Sequence, residues 1–65
     1  MVVRMLLVDK KYENMLMSVV SGVAQMGGGD LYSAIKDRLN AQGVPVEDRQ
    51  MRVSDVPPDM ACWHE

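Results

Sequence analysis

The chain contains no phenylalanine, and its only aromatic side chains are Tyr12, Tyr32 and Trp63. So few rings exclude a stacking platform for single-stranded nucleic acid, which lays successive bases on successive aromatic faces. A single cysteine, Cys62, excludes an internal disulfide framework and fits a reducing compartment, so a cytoplasmic protein is expected. Long apolar runs are missing too. None is longer than the four residues of Met5 to Val8, against the roughly 20 residues of a membrane span. The amino-terminal stretch also lacks the apolar core and small-residue cleavage site of a secretory signal, so neither a membrane nor secretion is expected. Nor is there an excess of positive charge. Seven Lys and Arg stand against nine Asp and Glu, for a net charge of −2 and a pI near 5.2. Broad nonspecific neutralisation of phosphates is thereby excluded, although a local basic stripe on a dimer is not.

Few residues could carry chemistry. Cys62 and His64 lie two apart, but they are two ligands short of a tetrahedral zinc site, and the chain has no other Cys or His. Cys62 as a nucleophile would need His64 oriented by a third group on a rigid scaffold, and a terminal segment is poorly suited to that. Gly27-Gly28-Gly29 precedes a predicted helix but lacks the lysine and hydroxyl of a phosphate-cradling loop, and Asp30 follows directly. No enzymatic activity, metal, cofactor or small-molecule substrate is expected.

What is present is apolar substance in ordered patterns. Apolar residues make up 48% of the 65, enough to fold as one domain. A chain this short buries only about 60% of the surface it exposes when unfolded, so a second copy or a protein partner is expected. Val2 to Val8 reads as a strand: Val3, Met5 and Leu7 line one apolar face, and Val2, Leu6 and Val8 line the other beside Arg4. Such a strand fits a position covered on both sides. From Tyr12 the apolar positions Met15, Leu16, Val19, Val20, Val23 and Met26 follow the stripe of an amphipathic helix. Asp9 is its expected N-cap, and the three glycines stop it. Asp30 caps a second helix, Leu31 to Gln42, with Ile35 and Leu39 inward; Gly43 then takes the left-handed position, Val44 packs back and Pro45 prevents continuation. Beyond it, Arg49 to Val53 alternates as a short strand, Pro57-Pro58 marks a turn, and Met60 to Glu65 reads as a tail anchored by Trp63. An alternative keeps the second helix but folds Asn14 to Val20 as a second strand, in a hairpin over residues 2–20.

The order strand, Asp cap, helix, glycine turn, helix over residues 2–42 resembles the ribbon-helix-helix family of small dimeric repressors and antitoxins. That resemblance implies a homodimer whose paired strands enter a duplex-DNA groove, with Arg4, Lys10 and Lys11 as DNA contacts and residues 44–65 as an extended segment for a protein partner. Val2 and Leu6 would offer no hydrogen bond to a base edge, which leaves Arg4 as the reader. Residues 30–53, with Ile35-Lys36-Asp37-Arg38-Leu39 followed by Gly43-Val44-Pro45, Glu47 and Gln50, resemble the helix-to-strand passage of ubiquitin-like β-grasp proteins. This second resemblance requires the hairpin and implies a protein-interaction subunit without DNA binding.

The expected protein is therefore a small α+β domain with a β-α-α core at residues 1–43 and an extended segment at 44–65. It acts by binding: a repressor or antitoxin of ribbon-helix-helix type, or alternatively an accessory subunit or small phage-type inhibitor of a protein complex. Met51, Val53, Val56 and Trp63 are the expected partner-binding residues. Met17, which lies off the apolar stripe, is a candidate contact.

Overall fold

The computed structural model describes all residues, Met1–Glu65. The elements run β1 (Val3–Asp9), α1 (Glu13–Met26), α2 (Leu31–Ala41), β2 (Glu47–Met51) and β3 (Met60–Trp63), with short 3-10 turns at Lys10–Tyr12 and Val53–Asp55. The three strands form one antiparallel sheet in the order β2-β1-β3. Both helices pack on one face of it.

Local chemistry accounts for the helix boundaries. Asp9 caps the 3-10 turn that leads into α1, its carboxylate accepting from the Lys11 N–H at 3.1 Å. Gly27, Gly28 and Gly29 all have φ near +70°, a left-handed path that side-chain-bearing residues resist, and α1 ends there. At α2 the Asp30 carboxylate accepts from the N–H groups of Tyr32 and Ser33, and the Ser33 hydroxyl donates to it at 3.0 Å. At the other end Gly43 (φ +82°) donates its N–H to Asn40 while Val44 donates to Leu39, the paired bonds of a Schellman cap, and Val44 is buried as its apolar contact.

The main core lies between sheet and helices. Leu6 and Val8 of β1 and Ala61 of β3 meet Leu16, Val19 and Val23 of α1, Ile35 and Leu39 of α2, and Val44. The alternate β1 residues, Met5 and Leu7, point to the opposite face, yet they are 0% and 2% exposed. Their cover follows from topology. Strands β2 and β3 run parallel to each other on either side of β1, so residues 52–59 must cross the sheet to join them. That crossover passes over Met5 and Leu7, and Pro57 and Asp59 border the same shallow cleft as Leu7.

Three expectations change here. Residues 13–26 are helical, so the hairpin over residues 2–20, and with it the β-grasp arrangement, is absent. The apolar positions of that segment make a continuous helical stripe as far as Met26, which a strand ending at Val20 would have cut short. The expected extended segment 44–65 holds one strand more than the strand expected within it, so that it supplies both outer strands, and Val44 and Ala61 are core residues. Strand β1 is indeed covered on both faces, but by its own chain. Its two edges are also taken, by β2 along Val3–Leu7 and by β3 along Leu6–Asp9. A two-chain ribbon through β1 would require one of those strands to leave.

Candidate functional site

Arg4, the expected base reader, lies on the helix-facing side of β1 near its start. Its guanidinium donates to both carboxylate oxygens of Asp48 at 3.2 and 2.8 Å, sits 3.9 Å from Asp30, and stacks 4.3 Å from the centre of the Tyr32 ring. This forked pairing uses the geometry in which arginine binds carboxylates best. The hydrogen bond to Asp48 raises the Arg4 pKa further. In turn it holds the Asp48 carboxyl below the usual range, and Asp30 is held low first by the Ser33 hydroxyl and also by the Arg4 charge. Arg4 is a charge already committed within the chain.

The same cluster closes the sheet. The Tyr32 hydroxyl donates to the Arg4 carbonyl at 2.7 Å and accepts from the Glu65 N–H at 3.4 Å. Register places Glu65 opposite Arg4, two residues beyond the last paired residues, Leu6 and Trp63. The phenol thus takes the place of the next ladder bond, and the Tyr32 ring packs against Trp63 at 5.1 Å, tilted by 54°.

Lys10 and Lys11 stand beyond the far end of β1, about 20 Å from Arg4 at the rise of an extended strand. Lys10 pairs with Glu13 at 3.0 Å, and the Lys11 ammonium lies 5.2 Å from the centre of the Tyr12 ring. Within one chain, therefore, the three expected DNA contacts do not form one patch.

The four expected partner contacts are also divided. Met51 lies opposite Val3 on the crossover side of the sheet, and Val53 and Val56 belong to the crossover segment. Trp63 is opposite Leu6 on the helix side at the other edge, half-buried against Tyr32. A shallow cleft of about 220 Å³ on the crossover side is lined by Leu7, Glu47, Arg49, Pro57, Asp59 and Met60. It holds one cation beside two carboxylates and no convergent catalytic set.

A further surface emerges on α1. Although 25% of the chain is charged, no Asp, Glu, Lys or Arg occurs from Asn14 to Gly29. The solvent side of α1 presents Asn14, Met17, Ser18, Ser21, Ala24 and Gln25, all exposed, with Met17 at 45%. On α2 the corresponding exposed side carries Asp37 and Arg38. Met17 was legible as a contact candidate from its place off the stripe, whereas the roles of Asp48 and Tyr32 were not. Their partners lie 44 and 28 positions away, and no local pattern announces them. No helix is long and apolar enough to cross a membrane. No protein-family model, curated protein or solved structure matches the chain, so its own surfaces carry the functional reading.

Proposed function

We propose that this is a small regulatory protein that acts by binding another protein through the outer face of α1. The observation that carries this reading is the uncharged solvent face of that helix, from Asn14 to Gln25, in a chain of which 25% of the residues are charged. A charge buried at an interface must be desolvated and costs affinity unless it is paired. A helix face without charges, bearing one adaptable methionine among small polar side chains, can be covered without that cost. The partner surface it fits is likewise uncharged and groove-shaped, in the helix-in-groove manner.

The repressor reading shares the idea of regulation by binding and rests on Arg4, Lys10 and Lys11. It is the weaker of the two, because Arg4 is paired with Asp48 and Asp30 and both edges of β1 are occupied.

Affinity capture from extracts of the native host tests the proposal, using the wild-type chain beside Met17→Glu and Ser21→Lys. A protein retained by the wild type and lost at least tenfold in both variants, with circular dichroism unchanged, is the expected result. Equal capture by all three would overturn it. Duplex-DNA binding that weakens steeply with salt and vanishes in Arg4→Ala would instead restore the repressor.

A further inference from the structure

The sheet has two outer edges, and they are protected unequally. Strand β2 is guarded: Glu47, Asp48 and Arg49 follow one another, and every residue from Glu47 to Gln50 is exposed. Charges on an edge are a common device against strand addition. Strand β3, Met60-Ala61-Cys62-Trp63, carries no charge.

The free groups on that edge can be identified from the ladder. The Lys10 N–H donates to the Asp59 carbonyl at 2.9 Å, one step beyond the Asp9–Met60 pair. Hydrogen-bonded pairs alternate in an antiparallel ladder, so Val8–Ala61 and Leu6–Trp63 exchange bonds while the peptide groups of Met60 and Cys62 face outward. The Met60 N–H is taken by Pro57 at 3.0 Å. This leaves the Met60 carbonyl and the N–H and carbonyl of Cys62, followed by those of His64, without a partner inside the chain.

We propose that the outer edge of β3 pairs with β3 of a second copy of this chain, antiparallel about a two-fold axis at Cys62, to form a continuous six-stranded sheet. Only registers that bring outward-facing residues opposite one another are allowed. With Cys62 on the axis, its N–H and carbonyl bond those of Cys62 in the other copy, and the His64 N–H meets the Met60 carbonyl on each side. With Ala61 on the axis only the two bonds from the Cys62 N–H groups to the Met60 carbonyls could form, because the Met60 N–H is held by Pro57, whereas the Cys62-centred register keeps four. On the helix side the Cys62-centred register sets the small, buried Ala61 opposite the half-buried Trp63 of the other copy, a large side chain against a small one. At each end Asp59 falls opposite Glu65 of the other copy. Both are exposed, their repulsion is screened by water and salt, and they confine the pairing to residues 60–64. A second copy suits this edge better than an unrelated peptide, because the isologous register satisfies its own donors and acceptors and no charge on the edge specifies a different sequence.

This pairing does not depend on the α1 surface. Sedimentation equilibrium should give twice the 7.3 kDa chain mass, and a short bis-maleimide should join two chains through Cys62, whose Cα atoms would lie about 5.5 Å apart. Cys62→Lys places like charges on the axis and should raise the dimer dissociation constant at least tenfold with unchanged circular dichroism. His64→Pro, which removes one donor from each side without touching the β1 ladder, should weaken the dimer less. In the wild-type dimer the Cys62 amide should exchange with solvent more slowly than on dilution to monomer. A wild type that stays monomeric at millimolar concentration overturns the proposal. So does a dimer that survives Cys62→Lys, or one dispersed by Met17→Glu instead, and only the last of these would implicate α1.

Discussion

Met5 and Leu6 are neighbours in β1 and equally inaccessible, at 0% exposure, but different kinds of structure cover them. Leu6 lies under two helices, within a cluster of nine buried side chains drawn from every major element except β2. Met5, with Leu7, lies under an eight-residue crossover whose only regular feature is one 3-10 turn and whose Val53 is 49% exposed. A helical layer is held by its own hydrogen bonds and caps before it meets the sheet. The crossover is held by its ends, by Pro57 and Pro58, and by the apolar side chains beneath it. Equal burial therefore does not mean equal rigidity, and the less rigid cover should yield when the side chain beneath it is cut back.

The comparison can be broken most directly by matched truncations. Leu6→Ala should cost about 4 kcal/mol, because the helices cannot close the cavity. That is comparable with the roughly 3–10 kcal/mol expected for the whole stability of a domain this size. Leu7→Ala should cost about 2 kcal/mol, the low end of the range, as the crossover settles into the space. Urea unfolding of both variants decides the matter, and a Leu7→Ala cost equal to that of Leu6→Ala would make the crossover as unyielding as the helices. Gly43→Ala sharpens the helical side: a Cβ meets no atom there, so a loss of about 1 kcal/mol in the same assay would come from the +82° backbone alone. Pro57→Gly sharpens the other side, with a loss of about 0.5–1 kcal/mol arising mainly from the freer unfolded chain.

The smallest expected effect is electrostatic and lies at the edge of the helical layer. Asp48 and Asp30 have folded pKa values below the ordinary 3.8. Depressed carboxyl values contribute stability that is present above the unfolded pKa and lost as pH falls through the folded one. The urea midpoint should therefore be level from neutral pH to about 5 and fall below about 4. Arg4→Gln removes the hydrogen-bonding charge from Asp48 and should flatten that acid limb. An unchanged limb would mean that other carboxylates set it. These groups are largely exposed, so the shift should be modest.

The elements legible in advance were those whose reasons are local. The second helix was readable almost to the residue, because its Asp30 cap, Ile35 and Leu39, and the Gly43-Val44 stop are all short-range signals. Strand β2 was expected at Arg49–Val53 and lies at Glu47–Met51, displaced toward the residues that pair with β1. Strand β3 was not legible: its four residues follow Pro57-Pro58 and become a strand only against Leu6–Asp9, more than fifty positions earlier. Of the candidate site, Met17 was visible from its position. Arg4 was visible as a charge on an apolar strand, but its engagement by Asp48, Asp30 and Tyr32 was not, since that requires the sheet to be assembled.

Periodicity, capping and left-handed glycines depend on side chains a few positions apart. By itself, the sequence thus determined the second helix, a doubly covered first strand and the absence of any charge from Asn14 to Gly29, and it favoured a first helix over a hairpin. Tertiary structure alone decided which strands flank β1, that the carboxyl-terminal third closes the sheet, and that one edge of it is charged while the other is bare. Those outcomes depend on pairings between distant segments, where chain connectivity and register choose among partners that local preference leaves equal.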